Sequence, residues 1–290
     1  MLTANDHYKA VFGRKMYKAS ISFAGSCPNR DGCKGTGGCI FCSAGGSGEF
    51  AAAADKPIKE QIDEAISRVG KKAGPDAGYI AYFQSFTNTY CRPEALEAAL
   101  DEVMAHPGVE AVSIATRPDC IPEDIIRVLE NCAKKIPLYV ELGLQTSNDD
   151  TAEIINRCYA TREYDDAVKR LRTIGVNVIT HVIFGLPGEK KDDMLETVRH
   201  CVSAGTDGIK FTCLYVLKGT KLEQMWKNGE FEVLGREEYF DIVSEALKLL
   251  PAGTVIHRLT GDGPKSLLLA PLWTADKRSV INYINRRFSK

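Results

Sequence analysis

The sequence predicts an α/β fold: a parallel sheet built from repeated strand-then-helix units, followed by a C-terminal extension. Three observations carry that expectation. Short apolar, β-branched stretches alternate with helical patterns up to about residue 214, and alternation of this kind means parallel strands joined by crossover helices. Six such units can be counted, too few for a closed eight-fold barrel. Past residue 220 the alternation stops, which divides the chain into a core over 1–220 and an extension over 221–290.

Taken in order, a mildly basic segment with Lys9, Arg14, Lys15 and Lys18 leads into a strand over 18–23. Asp55-Lys56-Pro57 reads as a helix start, with the acid as cap and proline in the first turn. Ile58, Ile62, Ala65, Ile66 and Val69 then recur at helical spacing up to Gly70. A strand over 78–83 follows. Pro93 opens a helix carrying Leu96, Leu100 and Val103, Pro107-Gly108 stops it, and 111–115 is strand. Pro122 opens the next, with Ile125, Leu129 and Ala133 inward, before a strand over 138–142. A helix over 165–174, closed by Gly175, precedes a strand over 177–183. A helix with Leu195, Val198 and Val202, closed by Gly205, leads to a strand over 208–214. The extension holds a helix over 237–249, a strand over 253–258 and a helix from Ala275.

Composition frames the function. A hydrophobic content of 44% and a charged content of 26% are those of a soluble globular protein. No apolar run approaches a membrane-spanning length, so a cytoplasmic protein without membrane contact is expected. Ten cysteines, mostly single along apolar segments, suit a reducing compartment. A net charge of −1 predicts no general affinity for nucleic acid, so any such contact needs a local patch. The basic tail from Lys277 and Arg278 to Arg286 and Arg287 is either such a patch or a solvated helix end; charge alone favours the latter.

Chemistry concentrates behind the first strand, in Cys27-Pro28-Asn29-Arg30-Asp31-Gly32-Cys33-Lys34-Gly35-Thr36-Gly37-Gly38-Cys39-Ile40-Phe41-Cys42. Four cysteines within sixteen residues, in a segment too rich in glycine for regular structure, form a loop suited to wrapping thiols round a ligand. An iron-sulfur cluster or a tetrahedral zinc fits.

The spacing of Cys27, Cys39 and Cys42, with the flanking Cys-Pro-Asn-Arg-Asp-Gly and Gly-Gly-Cys-x-Phe-Cys, resembles the cluster loop of radical SAM enzymes. It is most similar to a small bacterial branch related to the catalytic subunit of Elongator. That resemblance implies an open six-fold partial TIM barrel. It also implies that Cys27, Cys39 and Cys42 hold a 4Fe-4S cluster whose fourth iron takes the amino and carboxylate groups of S-adenosylmethionine. Cys33 lies off the pattern.

Ligands of parallel α/β folds sit at the C-terminal ends of strands. After the second strand, Gln84 to Tyr90 stands where the family usually carries a Gly-Gly-Glu segment; the glutamate is absent, and Ser85, Thr87 and Asn88 are expected near the cofactor. Arg117 and Glu141 should point into the barrel mouth. The stretch from Gln145 to Asn156-Arg157 is similar to oxygen-independent coproporphyrinogen oxidase and Elongator-like enzymes, which implies that Gln145 holds the ribose and Arg157 the methionine carboxylate. Gly185-Leu186-Pro187-Gly188-Glu189 resembles the adenine-contacting turn, with Ile183 against the base; His181 stands where some relatives have an acid that meets the ribose. Lys218, His257, Arg258 and Asp262 are expected on the substrate side.

The resemblance implies that ferredoxin or flavodoxin delivers an electron, that S-adenosylmethionine is cleaved, and that a 5'-deoxyadenosyl radical removes hydrogen from substrate. Elongator-like relatives act on tRNA wobble uridines, and the small bacterial branch resembles one processing carboxymethylaminomethyluridine towards aminomethyluridine. Two alternatives stand beside this: a radical SAM enzyme for a small metabolite, and a non-enzymatic RNA-binding protein in which Cys27, Cys33, Cys39 and Cys42 enclose zinc.

Overall fold

The computed structural model describes every residue except Ala24, Ser47, Glu49, Phe50, Ala53, Lys71, Lys72, Pro75, Asp262, Ser289 and Lys290. The chain begins with a two-residue strand, β1 (Leu2–Thr3), and a helix, α1 (Ala4–Phe12). Periodicity alone does not mark that helix. Its signal is the box Thr3-x-x-Asp6: the Thr3 hydroxyl accepts from the Asp6 N–H at 3.2 Å, and the Asp6 carboxylate accepts from the Thr3 N–H at 3.3 Å.

The expected alternation follows as β2 (Met16–Ile21), α2 (Ile58–Gly70), β3 (Gly78–Phe83), α3 (Pro93–Met104), β4 (Val109–Thr116), α4 (Glu123–Ala133) and β5 (Leu138–Gln145). It continues through α5 (Asp149–Ile154), α6 (Thr161–Thr173), β6 (Asn177–Phe184), α7 (Lys191–Ala204) and β7 (Gly208–Cys213). The C-terminal part contains β8 (Val216–Leu217), α8 (Lys221–Lys227), α9 (Arg236–Leu249), β9 (Val255–Arg258), β10 (Leu268–Ala270) and α10 (Lys277–Phe288).

Strands β2 to β7 are the six parallel strands that the sequence predicts, each beside the next. Two more join them. β9 pairs with β7 and β1 with β9, giving an eight-stranded parallel sheet in the order β1-β9-β7-β6-β5-β4-β3-β2. The sheet curls into a half-barrel and stays open, with β1 and β2 as its two edges. The helix α1 connects those edges, since it runs directly between them in sequence.

Alternation along each strand sorts side chains between two faces. Phe83, Ile114, Val140, Leu142, Val182 and Phe211 belong to the main apolar core, together with Leu96, Leu129, Val168, Val198 and Val243 of the helices. Their alternate neighbours in the sheet, Tyr82, Ser113, His181 and Lys210, turn to the concave face and meet there on Glu141. At the N-terminal end of the barrel, Tyr8 of α1 packs with Met16, Ile80, Ala111, Tyr139 and Ile179, so this helix plugs that mouth. The C-terminal strand ends remain available to the loops that carry chemistry.

Candidate active site

The cysteine loop is folded by its own backbone and side chains. Cys27 O accepts from Arg30 N–H at 2.8 Å, Asn29 O from Gly38 N–H at 2.7 Å, and Cys39 O from Cys42 N–H at 2.9 Å. Arg30 closes the loop from outside by donating to the carbonyls of Ser43 and Ala44, and its guanidinium lies 5.5 Å from the Phe86 ring centre. Gly46, at φ +58°, accepts from the Phe86 N–H at 3.0 Å, and a Cβ there would run into the Phe86 ring; only glycine fits so close a crossing. Cys33 is exposed and accepts from Tyr90 OH at 2.8 Å.

The Ile155-Asn156-Arg157 stretch clamps this loop. Ile155 O accepts from Ile40 N–H at 3.1 Å, and Asn156 Nδ2 donates to the carbonyls of Thr36 at 3.1 Å and Gly38 at 2.8 Å. Asn29 Nδ2 donates back to Asn156 O. Among the described residues, four that are not glycine take positive φ: Phe86, Gln145, Asn156 and Cys158. All four lie where the loop meets the barrel mouth, and strain of this kind persists only where surrounding contacts enforce it.

Below the loop is a cavity of about 260 Å³. Cys27, Cys39 and Cys42 line it at one end, and Tyr82, Glu141, His181 and Arg258 from the barrel interior at the other. Thr87, Arg117, Gln145, Tyr159 and Ile183 line it between them. Glu141 is the hub of the interior, 1% exposed. Its carboxylate accepts from Ser113 at 2.7 Å, Tyr82 at 3.0 Å and His181 Nε2 at 2.7 Å, and pairs with Lys18 and Lys210. Burial alone would raise its pKa; Lys18 and Lys210 outweigh burial and hold it well below the usual carboxylate range. His181 is pushed down to about 4, chiefly by burial and then by Lys210. Neutral at pH 7, it gives its one N–H to Glu141, which leaves Nδ1 as an acceptor.

The expected cofactor residues separate into two groups. Thr87, Arg117, Glu141, Gln145, Arg157, His181 and Ile183 line the cavity. Ser85, Asn88 and Gly185 are absent from its lining. Ser85 bonds Ser22 at 2.8 Å, Asn88 donates its amide to Phe83 O and Ala115 O, and Gly185, at φ +90°, donates its N–H to Met194 sulfur at 3.2 Å. These three build the loops instead. Arg157, expected to take the methionine carboxylate, is 1% exposed and directs all five N–H groups to the protein: to the carbonyls of Tyr159, Leu144 and Thr146, to Asp149 and to the Thr161 hydroxyl. Arg117, like Arg30 and Arg258, also brings a guanidinium to the cavity. Asp119 grips its Nε and Nη2 at 2.9 and 3.0 Å, and the Tyr159 ring lies 4.7 Å away.

On the substrate side, Arg258 reaches the cavity, His257 lies deeper against Tyr8, and Lys218 is exposed on a turn away from it. Asp262 lies outside the described residues. Lys18, Tyr82, Tyr159 and Lys210 are site residues that sequence reasoning misses. They sit on separate strands or in a loop without a local motif, and only the register brings them together.

The donor set fits an iron-sulfur cluster. Cys39 is held well above the ordinary thiol range, first by its hydrogen bond with Cys42, then by burial, then by the nearness of Cys42. Thiols so placed cannot all ionise without a cationic partner, and soft sulfur donors suit iron-sulfur centres. Among the described residues, Asn29 Oδ1, in the same loop, is the one buried side-chain polar atom without a hydrogen-bond partner. Among the described residues Cys33, the fourth thiol of the loop, accepts from Tyr90 OH and does not line the cavity that Cys27, Cys39 and Cys42 line.

Comparison with known proteins agrees with this geometry. The Radical SAM superfamily matches residues 26–201 and the Radical_SAM C-terminal domain residues 206–290. The chain belongs to the radical SAM superfamily. It is a radical SAM enzyme of a family that uses a 4Fe-4S cluster and S-adenosylmethionine, which overturns the non-enzymatic zinc alternative. It is 40% identical to YtqA of Bacillus subtilis over 98% of this chain and 88% of that one, and 32% identical to YhcC of Escherichia coli over 92% and 85%. It is 29% identical to the tRNA uridine(34) acetyltransferase of Methanocaldococcus jannaschii, over 55% of this chain and 29% of that protein. Among solved structures, Elp3 of Methanocaldococcus infernus superposes with a TM-score of 0.69 at 18% identity, covering 95% of this chain and 64% of that one. Coproporphyrinogen III oxidase of Escherichia coli gives 0.53 at 17% identity, covering 84% and 55%. Both likenesses show the partial-barrel fold.

Proposed function

We propose that Cys27, Cys39 and Cys42 hold the cluster, that S-adenosylmethionine lies beside them against Thr87, Arg117, Gln145 and Ile183, and that the enzyme modifies a tRNA wobble uridine, taking carboxymethylaminomethyluridine towards aminomethyluridine. The observation that carries the reading is the single cavity shared by the three cysteines and the charged barrel interior. The tRNA part is supported by the likeness to a tRNA uridine(34) acetyltransferase over half the chain. Bound there, the cluster and S-adenosylmethionine would supply the one-electron chemistry that removes hydrogen from a C–H bond.

The chain's own residues position and shield. Arg117, its Nε and Nη2 held by Asp119, offers Nη1 to the methionine carboxylate. His181 Nδ1 accepts from a ribose hydroxyl while Glu141 fixes its ring, and Ile183 packs on the base. Tyr159, Phe41 and Phe86 line the walls and exclude water from the reacting carbon. A ferredoxin or flavodoxin is the expected electron donor, and the cytoplasm the expected compartment; no helix among the described residues is long and apolar enough to cross a membrane.

Anaerobic reconstitution with iron and sulfide tests the first part. A reduced 4Fe-4S paramagnetic signal that changes when S-adenosylmethionine is added is the expected result; stoichiometric binding of zinc with no cluster and no cleavage would refute it. The substrate is tested separately, by accumulation of the carboxymethylaminomethyl nucleoside in a deletion strain. An unchanged nucleoside profile would sink that assignment.

A further inference from the structure

Asn29 follows Cys27 by two residues in the cysteine loop and is fully buried. Its amide nitrogen carries two hydrogens, and both have acceptors. One goes to Asn156 O; the nitrogen also lies 3.6 Å from the Cys39 sulfur, within reach of the other. The amide oxygen, by contrast, has no partner. Such an orphan is costly, and a free amide turns over to avoid it. Here turning over would cost more, because it would aim Oδ1 at two acceptors, the Asn156 carbonyl and the Cys39 sulfur. The orientation is therefore dictated by what the N–H groups meet. The loop is shaped to hold it. Gly38 N–H donates to Asn29 O at 2.7 Å, and a Cβ on Gly35 would run into Oδ1, so the chain passes close over the amide only because residue 35 has no side chain. Asn29 is absent from the lining of the cavity beneath the loop, so it approaches Cys39 from outside the space left for S-adenosylmethionine and substrate.

We propose that Asn29 sets the reduction potential of the cluster, by donating a hydrogen bond to the sulfur of Cys39 once that sulfur is a thiolate on iron. The proposal rests on the reading of Cys39 as a cluster ligand. Hydrogen bonds to ligand sulfurs are one of the levers on such potentials. The sign follows from charge. Taking one electron from the donor makes the cluster and its sulfurs more negative. An N–H dipole aimed at a sulfur inside a dry loop favours that form over the oxidised one, and so raises the potential. No bond breaks and no proton moves at Asn29; the neutral amide is a donor in both states. An amide is the side chain that suits the place. One nitrogen serves both acceptors, so the contact that ties Asn29 to Asn156 also aims the second N–H at sulfur. Asn156 is fixed in turn by its own bonds to Thr36 O and Gly38 O, at 3.1 and 2.8 Å. The clamp on the loop thus orients the donor.

The test is a potential, read without turnover and without S-adenosylmethionine. Full-length protein is reconstituted anaerobically with iron and sulfide, and its reduction by dithionite at poised potentials is followed by the paramagnetic signal. Asn29→Leu keeps the size and branching of the side chain and removes the donor. Its reduction equilibrium constant should fall at least threefold relative to the unaltered protein, about 28 mV to more negative potential for a one-electron couple. Asn29→Ala should move it in the same direction, and carries the comparison should Asn29→Leu fail to hold a cluster. Asn156→Gly separates tuning from a loosened loop. It keeps the carbonyl that orients Asn29, suits the φ of +55° there, and removes the two bonds to Thr36 and Gly38. It should release iron to a chelator at least threefold faster, while moving the potential less than half as far as Asn29→Leu. Full iron and sulfide in the unaltered protein keeps the cluster reading intact whatever the potentials show; their absence would end both. A potential unmoved or raised in Asn29→Leu, an equal shift in Asn156→Gly, or loss of the cluster from both Asn29 variants would overturn the assignment of Asn29.

Discussion

Replacing Glu141 by Gln removes the carboxylate on which the barrel interior converges while leaving volume almost unchanged. The carboxylate accepts from Ser113, Tyr82 and His181 and pairs with Lys18 and Lys210. An amide supplies one acceptor oxygen where those donors converge, and aims its own N–H groups at them. The side chain of Lys210 is 5% exposed and that of Lys18 23%, so the first is stranded in the interior and the second can turn partly to water. Breaking a buried pair by removing one partner costs about 3–5 kcal/mol, and the mobility of Lys18 argues for the lower end. In a protein of this size ~3 kcal/mol corresponds to a fall in Tm of roughly 6–12 °C. The pH dependence has a definite sign. Lys210, already pushed down by burial, falls further below its usual value of about 10.4 without Glu141, so the folded state is handicapped at pH 7 and recovers as pH rises towards that value. Urea unfolding at pH 7 and pH 9.5 should therefore show a deficit that shrinks at the higher pH, and adding Lys210→Met should restore at least half of it. A loss under about 1 kcal/mol at pH 7, or a deficit that the second substitution deepens additively, would refute the account of the hub.

Three further outcomes are expected. Cys39→Ala or Cys42→Ala should abolish both the visible absorption of the reconstituted cluster and the cleavage of S-adenosylmethionine; cleavage that survived either change would remove these residues from the ligand set. Arg157→Lys should destabilise the chain by about 2–4 kcal/mol before any cofactor is added, because one ammonium cannot reach acceptors spread over Leu144, Thr146, Asp149, Tyr159 and Thr161; unaltered urea midpoints with weakened cofactor binding would return Arg157 to the carboxylate role. Glu189 is raised to about 7, by burial first, against the Thr146 hydroxyl and with Asp193 adding to it. Its proton is held more tightly in the folded state, so its contribution is fully favourable below about 4.5 and declines as pH rises through 7, at most by ~3 kcal/mol over that window. Glu189→Gln should flatten stability between pH 5 and 7, measured as urea midpoints, and parallel profiles would show the carboxyl to be ordinary.

What could be read from the chain was whatever local chemistry writes locally. Pro93 places the start of α3 and the apolar run places β3 to the residue, and the cysteine loop announces a thiol site by spacing alone. The rest depended on distances that no local pattern records. Lys18, Tyr82, Glu141 and Lys210 come from four different strands, and their convergence follows only once the register pairs β2 with β3, β3 with β4, and so on round the sheet. The Asn156-Arg157 pair was legible as a motif, while the ring of carbonyls that the Arg157 fork meets was not, because a planar fork that suits a carboxylate suits carbonyls equally well. The strand at 253–258 was legible too; that it would lie beside β7 and extend the parallel sheet was not.

The outermost pairing of that sheet has a consequence for how the protein is made. Leu2 lies opposite Val255, so β1 leaves the ribosome long before the strand it pairs with. Each of β2 to β6 pairs with the strand that emerges next, whereas β1 must wait for roughly 250 residues of further synthesis, on the order of 12–50 s at typical elongation rates. During that interval α1 cannot be fastened at both ends, and the rim it spans stays unlatched. A two-residue strand is a slight hazard while it waits, offering too little edge to recruit a stranger. Nascent-chain proteolysis should accordingly find β1 and α1 vulnerable until β9 has cleared the exit tunnel, and protected abruptly thereafter.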